Sequence, residues 1–177
     1  MNYDVNNSTF WNDKYINDEH GWDLGQVTPT FIDKEKTLQK QSQILMPGCG
    51  LGHDAIYLAK KKHNVDALDF SEYAIDFISR TAKEKKININ PINDNFFNLS
   101  NQYNNKYDYI IEYTFFCAIL PNKRLLYATK CSDLLKKNGE LLGLFLPLNA
   151  ESCTNPPYQV TIDSIINTFS QLFNLIE

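Results

Sequence analysis

Three glycines at alternate positions, Gly48, Gly50 and Gly52, sit in the run Pro47-Gly48-Cys49-Gly50-Leu51-Gly52-His53-Asp54. About 20 residues further on comes a carboxylate, in Ala67-Leu68-Asp69-Phe70-Ser71. Glycine admits positive φ and lets a ligand approach the backbone, and a helix opened by such a turn offers unpaired N–H groups. An acidic residue at this distance accepts both hydroxyls of a ribose. Turn and carboxylate together point to an adenosine-bearing ligand. A dinucleotide fingerprint would place its third glycine where His53 stands, which disfavours NAD and a nicotinamide oxidoreductase. The competing readings are a plain tight turn and an Asp that merely starts a helix.

Such a turn works only if a strand delivers it and a helix carries it away. Gln43 to Met46 reads as a short buried strand, Asp54 to Lys62 as a helix and Asn64 to Leu68 as a second strand. Ser71 is a natural cap for a helix whose Ala74, Ile75, Phe77 and Ile78 share a face. Further strands are expected over Ile87 to Ile92, Tyr107 to Ile111 and Glu140 to Leu146. Arg124 to Leu135 predicts a helix with Leu125, Leu126, Ala128, Leu134 and Leu135 apolar, stopped at Lys136-Lys137-Asn138-Gly139, the basic pair complementing its C-terminus. Thr161 caps a last helix running to Phe173. Strands alternating with helices require right-handed crossovers, so the fold class is α/β, a doubly wound, mostly parallel sheet. Residues 1–177 read as one domain, with 1–40 as an N-terminal arm and the polar stretch Asp33 to Ser42 as the linker to the body.

Composition narrows the partners. Seventeen basic against twenty-one acidic residues give −4, which leaves no electrostatic footprint for nucleic acid or anionic lipid. Cys49, Cys117, Cys131 and Cys153 form no C-x-x-C pair, so neither a metal site nor a disulfide framework is expected, and a reducing cytoplasmic setting fits. The chain opens without a basic and apolar leader, and no apolar run reaches the ~18 residues of a membrane span. Cys117 lies among apolar residues with no His near it in the chain and reads as a packing cysteine; His53 and His63 are not read as catalytic.

The run Ile44 to Asp54, then Leu68-Asp69-Phe70-Ser71 and Ala74, resembles class I S-adenosylmethionine-dependent methyltransferases, within them the thiopurine methyltransferase-like superfamily. Asp94-Asn95-Phe96-Phe97, Tyr107 to Ile119, and Pro156-Pro157-Tyr158 with Val160 are similar to its halide/thiol (thiocyanate) methyltransferase group. The resemblance implies an S-adenosyl-L-methionine cofactor held by the backbone of the Gly48 and Gly50 turn, its ribose by Asp69, and its adenine by Asn95 and Phe96. Asn95 stands where the family usually has Asp; its carbonyl oxygen can still accept from the adenine amino group. Core packing is the competing role for Phe96 and Phe97. Trp11, Tyr15 and Trp22 match an arm that closes over the cofactor, where aromatic faces suit a sulfonium cation; they could equally just anchor the arm. Tyr113 matches a position lining the cofactor and acceptor pocket, and Tyr158 one in the substrate lid, where a hydroxyl could meet the acceptor or a rigid turn could only shape the pocket.

Thiopurine-type members carry an Asp-Arg pair after the fourth strand, whereas this chain has Glu112-Tyr113-Thr114-Phe115-Phe116-Cys117. The resemblance therefore implies methyl transfer to a small sulfur or halide nucleophile such as bisulfide, thiocyanate, iodide or a small thiol. The alternatives are a larger aromatic or heterocyclic thiol, or a regulatory protein that keeps the cofactor fold without turnover. Class I members continue for two more strands after the last helix, so the sheet here is expected to lack its final strands and to expose an edge through which copies could associate.

Overall fold

Gln43-Ile44-Leu45-Met46-Pro47 forms the central strand β1 of the computed structural model, which describes residues 4–145 and 156–176. The chain order is α1 (Ser8–Ile16), α2 (Pro29–Glu35), β1, α3 (His53–Lys60), β2 (Asn64–Asp69), α4 (Glu72–Lys85), β3 (Asn90–Asn93), β4 (Tyr107–Tyr113), α5 (Arg124–Leu134), β5 (Leu135–Leu144) and α6 (Ile162–Phe169). The five strands lie in the order β3-β2-β1-β4-β5 and every pairing is parallel. The sheet is α/β and doubly wound.

Alternation along the strands builds two cores. Ile44, Met46, Val65, Ala67 and Ile111 face α3 and α4, where Ala55, Leu58, Ile75 and Ile78 meet them. Leu45, Leu68, Tyr107 and Ile110 face the other layer, with Tyr127, Cys131 and Leu134 of α5 and Phe169 of α6. A parallel sheet is buried on both faces, so its central strands need apolar residues on both sides. Strand order reverses between β1 and β4, and both strands end there in turns, the place where sheets of this kind receive ligands.

Several boundaries differ from expectation for local reasons. The expected linker from Asp33 to Ser42 begins inside a helix: residues 33–35 end α2, which is started by Pro29 at a position that needs no N–H donor. Pairing of β3 begins only at Asn90, because Lys86 ends α4 in a left-handed conformation and the Ile87 N–H turns back to the Ala82 carbonyl. Lys136 and Lys137 do not complement a helix end: β5 starts at Leu135, directly after α5, and the Lys136 ammonium donates to Asp108 Oδ1 at 2.7 Å. The buried stripe of α5 is Arg124, Tyr127, Ala128, Cys131 and Leu134, while Leu125 and Leu126 face outward. The last helix stops at Phe169. Leu146 and Cys153 lie outside the described residues.

Caps behave as their residue types dictate. The Ser71 hydroxyl accepts from the Ala74 N–H at the start of α4, and Thr161 and Ser164 form a reciprocal capping box on α6. No helix among the described residues is long and apolar enough to cross a membrane.

Candidate cofactor and acceptor site

The cleft at the strand-order reversal has the glycine turn as its floor. Gly48, Gly50 and Gly52 all have positive φ, between 53° and 72°, which few side chains tolerate. A Cβ on Gly48 would overlap the ring of Phe115, and one on Gly50 would come within 2.9 Å of the Tyr15 hydroxyl. Gly52 caps α3 without a side chain, which leaves the first-turn N–H groups uncapped by it. Pro47 to Asp54 line the cleft together with Trp22, Asp23, Leu24, Gln26 and Thr28 from the N-terminal segment and Tyr113 and Thr114 from the end of β4.

Asp69 ends β2 beside this turn. Its Oδ2 accepts from the Gly50 N–H and its Oδ1 from the Ser71 N–H, each at 2.9 Å. Burial raises its pKa, while the N–H groups of Ser71, Gly50 and Phe70 pull the other way. Each carboxylate oxygen keeps a second lone pair, so the two backbone bonds leave room for ribose hydroxyls. A glycine floor of exposed backbone beside an acidic group at the end of the next strand fits the ribose and amino-acid ends of S-adenosylmethionine.

The N-terminal segment is clipped onto this cradle twice. Asp54, in the first turn of α3, accepts the Thr28 N–H at 2.7 Å and the Thr28 hydroxyl at 2.9 Å. The Asn12 Oδ1 accepts the Ser71 hydroxyl at 2.6 Å. Tyr15 is buried at 4% exposure, its hydroxyl held far toward the neutral form by burial first and by the Asp69 charge second. Its ring stacks on Tyr73 and meets the edge of Trp22. Trp11 packs against Trp22 and donates to the Val5 carbonyl, outside the cleft lining. The arm aromatics thus form one cluster in which Trp22 reaches the cleft.

Three expected residues, Phe96, Asn95 and Tyr158, stand elsewhere. Phe96 is packed in the core between Phe97, Phe115 and Tyr127, not on the cleft, because the short 3-10 turn over Phe96–Asn98 rotates it inward. Asn95 spends its Oδ1 on the Phe97 N–H at 2.9 Å, capping that turn. Tyr158 is buried outside the cleft lining; its N–H donates to the Cys117 carbonyl at 2.7 Å, and burial and the nearby Asp4 charge raise its pKa. His53 Nε2 lies 3.3 Å from Asp23 Oδ1, and His63 Nε2 3.6 Å from Glu35 Oε1.

The turn after β4 carries groups that motif reading passed over. Thr114 has a φ of 62°, an uncommon value for a β-branched residue and one that collects at functional sites. Glu112, at 0% exposure, folds its Oε1 back onto the Phe116 N–H at 2.7 Å and leaves Oε2 without a donor. Burial pushes its carboxyl up to about 7 against the pull of the Phe116 and Phe115 N–H groups. Cys117 donates to the Thr114 carbonyl, and burial followed by the Glu112 charge pushes its thiol up to about 11, so it is no nucleophile. A charged residue inside the apolar run Tyr109 to Phe116 was the available signal for Glu112.

A sequence model of the thiopurine S-methyltransferase family matches residues 6–177. A probable thiol methyltransferase 2 from Arabidopsis thaliana is 34% identical over 163 residues, 89% of this chain and 70% of that protein. Thiocyanate methyltransferase 1 from Brassica oleracea is 32% identical, over 81% of this chain and 63% of its own length. The chain therefore spans about two thirds of these plant relatives. Among solved structures, the Burkholderia thailandensis 1,6-didemethyltoxoflavin-N1-methyltransferase with bound S-adenosylhomocysteine superposes with a TM-score of 0.66 at 18% identity, covering 76% of this chain and 58% of that one. A structure from work on conversion of a disulfide bond into a thioacetal group in echinomycin biosynthesis reaches 0.71 at 19% identity, over 84% and 68%. These likenesses show the fold.

Proposed function

The chain belongs to the thiopurine S-methyltransferase family, and from that premise we propose that it transfers the methyl group of S-adenosyl-L-methionine to a small sulfur or halide nucleophile. The observation that carries this reading is the pairing of the glycine floor and Asp69 with a β4 turn of Tyr113, Thr114 and Phe115 in place of a charged pair. The thiol and thiocyanate methyltransferase relatives support the acceptor class. When bound, the cofactor supplies an electrophilic methyl group on a sulfonium. This chain's residues then have three tasks. The Gly48 to Gly52 backbone and Asp69 hold and orient the cofactor, with Trp22 over the cleft. Tyr113 and Thr114 border the place from which an acceptor must approach. Exclusion of water by the arm and by the apolar β4 turn leaves a small anion less solvated, and in-line positioning supplies most of the acceleration.

Within the same reading, Trp11 and Tyr15 steady Trp22 rather than touch the cofactor, and Asn95 reaches the adenine through its amide nitrogen, since its oxygen caps a turn. The free thiols of Cys49, Cys117 and Cys131 support a cytoplasmic setting, and the net charge argues against nucleic-acid partners. The outer edge of β5, unpaired among the described residues, supports self-association, which light scattering tests directly.

The test of function is incubation of the purified protein with S-adenosylmethionine and, separately, thiocyanate, bisulfide, iodide, small alkyl thiols and an aromatic thiol. Methylated product with stoichiometric S-adenosylhomocysteine is expected from the small acceptors. Turnover of the aromatic thiol alone would shift the acceptor class, and cofactor binding with no product from any acceptor would leave a non-catalytic binding protein.

A further inference from the structure

The whole-chain charge of −4 hides a separation between the two ends of the sheet. Helices α3 and α4 share one core and lead into the neighbouring strands β2 and β3, so their last turns flank the start of β2, at the end of the sheet away from the cleft. Residues 60–62 and 83–86 supply six lysines there, Lys60, Lys61, Lys62, Lys83, Lys85 and Lys86, against one carboxylate, Glu84. All six are exposed. Lys61 stands 3.8 Å from Glu35, and the other five make no ion pair among the described residues. The opposite ends of the same helices carry Asp54 and Glu72, with Asp23 and Asp69 beside the cleft.

A helix C-terminus attracts cations, which accounts for Lys60, Lys83 and Lys85 in the last turns. It does not account for Lys62 and Lys86. These close α3 and α4 with φ of 73° and 52°, the left-handed conformation in which helices end on glycine and sometimes asparagine. A short polar side chain eases that conformation by bonding to nearby backbone, and lysine has none. The chain does use asparagine at other left-handed positions, Asn105 and Asn138. At the ends of α3 and α4, charge rather than backbone preference decides the residue, and a local conformation held against its preference points to a surface with a task.

The partner that fits carries dense negative charge spread over a surface. Residues 60–62 and 83–86 hold no arginine to fork onto a phosphate or stack on a base, and the Tyr57 ring beside them is covered by the Lys61 ammonium, 5.4 Å from its centroid. Proteins that grip nucleic acid rely on both. Lysines alone act as point charges, and clusters of roughly four to eight bind anionic lipid headgroups, each contributing about fivefold. We propose that this lysine-bearing end of α3 and α4 is a docking surface for an anionic phospholipid bilayer, which holds the molecule with its cleft turned to the water. Repulsion of the acidic cleft end by the same bilayer sets the orientation. Binding of this kind is peripheral, reversible and salt-sensitive, and no apolar segment has to enter the lipid.

The test is sedimentation of the full chain with vesicles of phosphatidylcholine containing about one third phosphatidylserine, and with vesicles of phosphatidylcholine alone. Binding is expected to the first and not to the second, and it vanishes at about 1 M salt, where the screening length is about 3 Å. In the double variant Lys62→Asn with Lys86→Asn, affinity for the phosphatidylserine vesicles falls about tenfold or more, while thermal stability holds or rises because asparagine suits the left-handed backbone. Lys14→Gln with Lys123→Gln removes the same charge from the other end of the sheet and leaves vesicle binding unchanged. Equal sedimentation with both kinds of vesicle overturns the proposal, as does an equal loss in the two double variants. Retention by polyuridylate with none by phosphatidylserine vesicles overturns it in favour of a nucleic acid. The surface does not depend on the methyl-transfer reading: a protein that sediments with the anionic vesicles but methylates nothing would sink that reading and leave this one standing.

Discussion

The two turns that meet at the end of the sheet are built on opposite terms. Beside the glycine turn, the buried carboxylates Asp69 and Asp54 each have both oxygens engaged by donors of the protein itself. Beside the β4 turn, Glu112, Arg124 and Tyr127 are equally buried, and each leaves polar atoms without a partner. A fully satisfied network is rigid before any ligand arrives, and a partly satisfied one is costly until something completes it. The glycine-turn side is therefore set before any ligand arrives, and the β4 side holds unused hydrogen-bonding capacity.

The sharpest way to break this contrast is on the satisfied side. Asp69→Ala removes two charge-assisted acceptors, each worth about 1.5–3 kcal/mol, from the turn, together with the ribose contact proposed above. S-adenosylhomocysteine affinity should fall about a hundredfold or more by calorimetry; a loss of less than about threefold would mean that the cradle stands without its carboxylate.

On the other side, Glu112→Gln changes only a titration. The Glu112 carboxyl protonates at about 7 in the folded protein against an ordinary value of 4.5, so the native state binds the proton more tightly than the unfolded chain. The stability this gives is fully present below the ordinary value and is lost as the pH rises through about 7. The wild type should therefore lose about 3 kcal/mol relative to Glu112→Gln between about pH 4 and pH 8. Asp54 and Asp69 are common to both proteins and cancel in the difference. Parallel denaturation curves across that range would show that the carboxyl is not strained by burial.

Two smaller changes refine the comparison. Thr28→Val keeps the N–H bond to Asp54 but strands one carboxylate oxygen, which should cost about 1–2 kcal/mol by urea denaturation and speed proteolysis within the N-terminal segment. Tyr158→Phe should leave kcat within about twofold of wild type, because its ring lies off the cleft; a larger drop would return the hydroxyl to the reaction.

What could be read without coordinates follows from the range of the interactions. The glycine turn, the Ser71 cap and the alternation of strands and helices are local, each set by residues within a turn or two of one another, and Asp69 was legible because one strand–turn–helix unit fixes its distance from the glycines. The Thr28 to Asp54 clip joins residues 26 apart, and nothing in either residue announces the other. On α5 the apolar count pointed to Leu125 and Leu126, and the stripe actually buried is led by Arg124, because the helix is docked by Tyr127, Cys131 and Leu134. Hydrophobic periodicity cannot see a face that buries a charge. Phe96 and Phe97 were separable only once the 3-10 turn fixed which ring points inward.

The absence of a side chain on Gly48 has a further effect. It lets the Phe115 ring lie directly on the backbone of the turn, so the loops from β1 and β4 touch with nothing between them. A ligand that shifts Gly48 must shift or press on Phe115, and Phe115 follows directly on Tyr113 and Thr114, which line the same cleft. Two ligands whose sites share one mechanical contact are thermodynamically linked: whatever factor the first contributes to binding of the second, the second returns to the first. Any coupling between cofactor and acceptor then runs through that single ring, and measuring acceptor affinity with and without S-adenosylhomocysteine reads the linkage directly.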